Sequence, residues 1–485
     1  MRRHLPVLLL AGLLLGAGPA AVSAVAAPQP ALKIPGPLDG PLPLFTGAAA
    51  TPQPLKGPWR PVNPALAADG RSGTGLAAGN GAASPLPGPL GIGTKRSSAF
   101  LGGSCTSLAF DKRDRLLALC SVPTGPVLRI LDPAGLATIA ALTLPARPSA
   151  DRADQGGGTH LLVRADGTVL VPTNGGDLLH LAVDAGGFRK LGAVGLGTVL
   201  GRGERPFAVG AGYDGYDWVA GAQGTVITVP RGGGAPRALR LREPVAEDIA
   251  TDPTGTYVVT RDALYRLLAA ADGTPRIVWR HPLVTGVSDP QAGRVHTGPG
   301  TPPAMVAGGF VAVADGAQPP HVIVVRTGGR ESRRLACSVP VFGAGAGSVE
   351  APLVVAGRSL VVANAYGYNG LASTELGRTT TGGLARIVVG KHGCRTAWRS
   401  ALISPSAAGV VSRANGLLYT VLKPRSAPDA WNLAALDWRT GALRFTALAG
   451  EGLGFNSDGG PVVLGPDGAA YAGSFGGLSR LKDSG

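Results

Sequence analysis

From Ser104 onward the chain repeats one unit: an apolar strand, a two-residue turn that usually contains glycine, and a second apolar strand. The turns fall at Lys112-Arg113, Asp166-Gly167, Asp214-Gly215, Thr254-Gly255, Gly308-Gly309, Gly357-Arg358, Asn415-Gly416 and Asp467-Gly468, at intervals of 40 to 58 residues. Further strands follow each hairpin, as in Asp177 to Leu181 and Ala385 to Val389. Four strands in about 50 residues make one blade of a β-propeller. The leading strands are apolar on both faces, for example Leu161-Leu162-Val163 and Val169-Leu170-Val171, as required where a blade is sandwiched between two neighbours. The spacing predicts an all-β protein with a single propeller over residues 99–485, built from eight four-stranded blades. The third and fourth units are the least regular, and seven blades is the alternative count.

The eighth unit stops one strand short, after Val462-Val463-Leu464, Ala470-Tyr471-Ala472 and Leu478 to Leu481. An unclosed ring would expose a sheet edge, so a segment before Ser104 is expected to complete the last blade. Ala99-Phe100-Leu101 and Leu42-Pro43-Leu44-Phe45 are the candidates.

Composition agrees with this reading. The 76 Gly and 42 Pro exclude a mainly helical protein, and 15% charged against 45% hydrophobic residues excludes general disorder. Arg2 and Arg3, the apolar stretch Val7 to Leu15 and the small residues around Ala24-Val25-Ala26 read as a secretory signal peptide over residues 1–27. No later apolar run is long enough to span a membrane, so the expected product is a secreted, soluble monomer. Residues 28–98 read as an extended arm, with 14 prolines and only six charged residues between Pro28 and Leu90. Two roles stay open for it: a spacer, or a segment packed along the body through Leu42, Leu44, Phe45, Leu55 and Trp59.

The formal charge of +15 raises nucleic acid as a partner. However, the cations are 37 Arg and 8 Lys scattered along the chain without runs, which reads as compositional bias and not as a binding patch. The four cysteines suggest two disulfides in an oxidising compartment. Pairing the strands around Asp111 to Asp114 sets Leu108 opposite Leu117 and Cys105 opposite Cys120, within disulfide reach. Cys337 and Cys394 then pair by elimination. No Cys-x-x-Cys is present, which argues against zinc or thiol redox chemistry.

The stretch Ala435-Leu436-Asp437-Trp438-Arg439-Thr440-Gly441-Ala442, followed by Phe445, resembles the repeat of pyrroloquinoline-quinone-type propellers, with Trp279 and Trp398 at comparable outer-strand positions. In that repeat an Ala-x-Asp-x-x-Thr-Gly turn docks an aromatic residue, and one blade here carries the pattern in full. Residues 245–482 also resemble a group of secreted propellers of unassigned function. Where that group reads Thr-Thr-Pro-Thr, Asp-Asn and Glu-Asn-Asn-Tyr-Gly-Tyr, this chain has Thr301-Pro302-Pro303-Ala304, Asp315-Gly316 and Ala363-Asn364-Ala365-Tyr366-Gly367-Tyr368, so several polar side chains are missing. The resemblance implies the architecture. It does not carry the quinone, because the adjacent cysteine pair and stacking tryptophan expected of a quinoprotein dehydrogenase are not found.

The repeat also locates a site. Residues about seven before and seven after each turn lie at the far end of the hairpin and should ring one mouth of the channel. Before the turns these are His160, Glu247 with Asp248, Thr301, Glu350 and Asp458; after them come Asn174, Asp262, Asp315, Asn364 and Lys423. Carboxylates and amides from several blades suit Ca²⁺, with Asn174, Asp248, Asp315 and Asn364 as candidate ligands. By analogy with propeller lactonases, His160 or Glu350 would serve as base in a metal-dependent hydrolase. The same residue types also suit turns, which is the structural reading of the ring. Tyr213, Tyr216 and Trp218 beside Asp214 and Asp217 suggest either sugar stacking or hairpin packing. No phosphate loop, Gly-x-Ser-x-Gly elbow or zinc-spaced His pair occurs. The leading expectation is recognition of an extracellular small molecule, glycan or protein at the mouth; a hydrolase, a quinoprotein dehydrogenase and a non-catalytic scaffold are the alternatives.

Overall fold

Each of the eight predicted turns joins the two inner strands of a four-stranded antiparallel blade. A computed structural model describes residues 43–484, except 60–61, 69, 74–78, 147–159, 246, 287–293, 295–297 and 427–428. The expected signal peptide and Leu42 lie outside the described residues. Seven blades follow one another from Ser104 to Glu451, each running from the channel outward in chain order. Blade 1 shows the pattern, with strands Ser104–Phe110, Leu116–Val122, Gly125–Leu131 and Thr138–Thr143. The third and fourth blades are regular, which settles the count at eight.

Blade 8 supplies three strands, Val462–Leu464, Ala470–Ser474 and Gly477–Lys482, and Lys95–Phe100 pairs antiparallel with the last of them as its outermost strand. The ring is therefore closed by an N-terminal strand, extending the Ala99-Phe100-Leu101 candidate. Phe45–Gly47, which overlaps the second candidate, pairs with Leu443–Glu451 and adds a strand outside blade 7. Its Phe45 stacks on Phe445 at 5.5 Å between ring centroids.

Residues 63–68, 70–73 and 79–84 of the arm enter the channel. An innermost strand gives its outer edge to its own blade, so partners on its inner edge lie in the channel. Phe110 N donates to Arg71 O, Val163 N to Ser72 O, Met305 N to Gly79 O, Val355 N to Gly81 O and Val411 N to Ala82 O. Asn63 and Asn80, both buried, donate their side-chain amides to Ala211 O and Ile249 O. The described residues between Asn63 and Ser84 thus reach the inner strands of blades 1 to 7 between them and occupy the channel. This satisfies backbone groups that would otherwise face a narrow cavity.

Both disulfides form. Cys105 faces Cys120 as expected, but a bulge between Cys105 and Ser107 shifts the register, so Leu108 lies opposite Ala118 and Ala109 opposite Leu117. The extra residue could not be placed from the sequence pattern, because the strand is buried on both faces and shows no alternation that would fix its register. Cys337 and Cys394 join the outermost strands of blades 5 and 6. Neighbouring blades are also tied by tryptophan. Trp279 Nε1 donates to Thr327 O across blades 4 and 5, and Trp398 Nε1 donates to Trp438 O across blades 6 and 7, where Gly441 leaves room for the indole. A Cβ at Gly441 would sit 2.7 Å from that ring. This is the docking that the repeat resemblance implied.

Candidate functional site

Every residue of the predicted ring stands at the end of an inner strand, on the face opposite the eight turns, but the members serve different purposes. Thr301 is buried and accepts a hydrogen bond from Ala314 N (2.9 Å). Asn364 is committed to its loop: Oδ1 accepts from Ser348 N and Tyr366 N, and Nδ2 donates to Ala346 O and Gly382 O. Asn364→Ala is expected to cost about 2 kcal/mol, by leaving buried backbone groups unsatisfied. Urea unfolding checks this, and a loss below about 0.5 kcal/mol would contradict the assignment.

Asp315 accepts from the amides of Ala317 and His321, and the buried Arg294 lies nearby; burial pushes its carboxyl above the usual range against these influences. Asp262 forms a two-bond pair with its neighbour Arg261, which holds its carboxyl below the usual range. Lys423 is fully buried, 3.5 Å from Asp429 and above the Trp431 ring, and desolvation lowers its pKa. Asp458 accepts from the hydroxyls of Tyr368 (3.0 Å) and Ser104 (3.3 Å), joining the loop between the second and third strands of blade 6 to the seam between blades 8 and 1. Asn174 donates to Pro145 O. Arg294, Tyr368 and Asp429 were not anticipated, because they sit on long connecting loops that have no counterpart in the repeat.

The remaining members come together. His160 Nδ1 lies 3.8 Å from Asp248 Oδ2, and the His160 ring is tilted against Phe207 at 5.2 Å. Desolvation raises the pKa of Glu247 well above the usual carboxylate value, and the charges of Glu350 and Asp248 raise it further. His160 precedes blade 2, Glu247 and Asp248 precede blade 4, and Glu350 precedes blade 6. These blades are not neighbours in the ring, so the side chains meet over the channel. The filled channel gives this mouth a floor, since Asn80 holds Ile249, the residue after Asp248.

Of the candidate calcium ligands, Asn364 commits its amide to its own loop and Asp315 Oδ1 accepts from two backbone amides, and among the described residues no three His, Cys, Asp or Glu side chains group as a metal site. Trp218 is fully buried with Nε1 on Asp214, so the aromatic-acidic cluster is hairpin packing and not a sugar platform.

Among the described residues no helix is long and apolar enough to cross a membrane. No family model matches the chain. An uncharacterised protein of Archaeoglobus fulgidus is 28% identical over 274 residues, covering 50% of this chain and 52% of that protein, so the chain spans about half the length of the curated relative it matches. Among solved structures, the quinohemoprotein alcohol dehydrogenase of Comamonas testosteroni is similar with a TM-score of 0.54 and 12% identity, over 86% of this chain and 80% of that one. BamB from Moraxella catarrhalis aligns over 75% of this chain and 99% of its own, with 13% identity and a TM-score of 0.41. At such identity the dehydrogenase likeness shows the fold alone, a β-propeller, and the BamB likeness is too loose to argue from.

Proposed function

We propose that this is an exported binding protein that recognises a ligand with a cationic or hydrogen-bond-donating group at the mouth formed by His160, Glu247, Asp248 and Glu350. The observation behind the reading is the approach of groups from non-adjacent blades: His160 Nδ1 lies 3.8 Å from Asp248 Oδ2, and the charges of Glu350 and Asp248 act on the desolvated Glu247. A bowl with acidic walls and a solid floor suits capture of a small group, and the two disulfides are compatible with an oxidising compartment. Because no metal cage forms from the described residues, no hydrolytic step is assigned to His160 or Glu350.

The test is the pair Glu247→Gln and Glu350→Gln. Glu247 has a folded-state pKa above its unfolded value, so its contribution to stability is complete below the ordinary carboxylate range and is lost as pH rises through the raised value. The double variant should therefore melt higher than the parent at neutral pH, with a flatter pH profile, while losing binding to whichever primary or quaternary ammonium compound shifts the parent's melting temperature. Retained binding in that variant would move the site elsewhere. Stabilisation of the parent by calcium, reversed by chelator, would restore the metal reading instead.

A further inference from the structure

Several of the cations that are scattered in sequence come together in space on the opposite face. Two clefts open at the turn end of blades 5 to 7. One, of about 800 Å³, lies between the outer loops of blades 5 and 6 and is lined by Arg326, Arg330, Arg333, Lys391 and His392. The other, of about 480 Å³, lies between arm residues 54–59 and blades 6 and 7, and is lined by Lys56, Arg358, Arg386, Arg439 and Trp59. Among the described residues neither lining contains an acidic side chain. The hydrogen bonds these arginines make go to neutral oxygens: Arg326 to Arg333 O, Arg358 to Gly390 O, Arg386 to Ser359 Oγ and Arg439 O, and Arg439 to Pro54 O. Such bonds orient the guanidinium groups without neutralising them. Burial and the charges of Arg395 and Arg439 lower the pKa of Arg386, a sign of crowded positive charge.

The clefts are adjacent. Arg326 and Arg358 flank the same Phe310 ring at 5.7 and 5.3 Å, and the turn Gly390 to Gly393 stands between the two openings. The Cys337–Cys394 bridge abuts the larger cleft, next to Ala336 and Gly393 in its lining, and so fixes the separation of its walls.

We infer that these two clefts form a binding surface for an anionic polysaccharide, with its sulfate, phosphate or carboxylate groups paired to the arginines and lysines. Arginine forks match such oxyanions in geometry as well as charge. The clefts have the volume of small-ligand sites, and Trp59 lines the second, with Arg413 stacked on it at 4.2 Å, so it offers a sugar ring an apolar wall. A duplex nucleic acid fits less well, since short turns project here and not a helix or ribbon able to enter a groove.

Heparin is the probe, titrated between about 50 and 200 mM salt, where affinity should fall steeply. Arg330→Glu, Arg333→Glu and Lys391→Glu together alter three exposed side chains of the larger cleft and should lower heparin affinity at least about tenfold and flatten its salt dependence, with melting temperature unchanged. Arg202→Glu, Arg237→Glu and Arg276→Glu carry the same charge change at exposed positions elsewhere and should stay within about twofold of the parent. Equal losses in both triple variants, or none in the first, would overturn the inference. Neutral dextran binding as well as heparin would overturn it on chemistry, and tighter binding of duplex DNA would replace the polysaccharide with nucleic acid. The surface is separate from the acidic mouth, so neither result bears on that site.

Discussion

Gly473→Val is expected to destabilise the protein by about 3 kcal/mol, at the upper end of the effect of overpacking. Gly473 lies on the second strand of blade 8, at the seam where the last blade meets the first. A Cβ there would come 2.1 Å from Cys105 O and 3.1 Å from Pro461 Cδ. The obstacle is backbone, not the end of a flexible side chain. It also cannot retreat, because Cys105 is held to Cys120 by a disulfide and both are buried. The strain must then open the seam of a ring whose stability depends on every blade covering its neighbour. Gly192→Val is the matched control, since a Cβ at Gly192 meets nothing within 4 Å, and it should change stability by less than about 0.5 kcal/mol. Urea unfolding followed by tryptophan fluorescence separates the two. Equal, small effects would mean that the seam is loosely packed.

Removing the Cys337–Cys394 bridge with a pair of serines should cost about 4 kcal/mol, against about 3 kcal/mol for the Cys105–Cys120 bridge. The order follows from the chain-entropy model and the sequence separations of 57 and 15 residues. Location points the same way. The shorter bridge lies inside one hairpin, where the strand ladder already restricts the chain, whereas the longer one ties the rims of two blades. Denaturation midpoints of the two double variants, measured without reductant, test the order. A larger loss for the Cys105–Cys120 pair would show that the inter-blade bridge spans surfaces already held by packing.

The blade count was legible because hairpin turns have strong local chemistry: Asp166-Gly167 and Gly308-Gly309 mark backbone positions that few other residues adopt, with positive φ at Gly167, Gly308 and Gly309. The ring of strand-end residues was legible for the same reason, since a repeat of known length places its ends. Their roles were not. Asn364 and Asp315 look like ligands in sequence because the residue types that coordinate cations also satisfy loop amides, and only their bonding partners distinguish the two. The bulge in blade 1 was hidden because its strand is buried on both faces and so lacks the alternation that fixes a register.

By itself, then, the sequence determined a propeller of eight or seven blades, its closure from the N-terminal side and the pairing of Cys105 with Cys120, because each rests on turns, periodicity or a strand shortfall that is local in the chain. Tertiary structure alone decided that arm residues between Asn63 and Ser84 enter the channel, that His160 and Asp248 approach each other from blades 2 and 4, and that arginines from three blades line one face. The physical reason is common to all three. Contacts between distant blades depend on how the ring closes and where long loops fall, and neither a turn signal nor a hydrophobic period encodes proximity between residues a hundred positions apart.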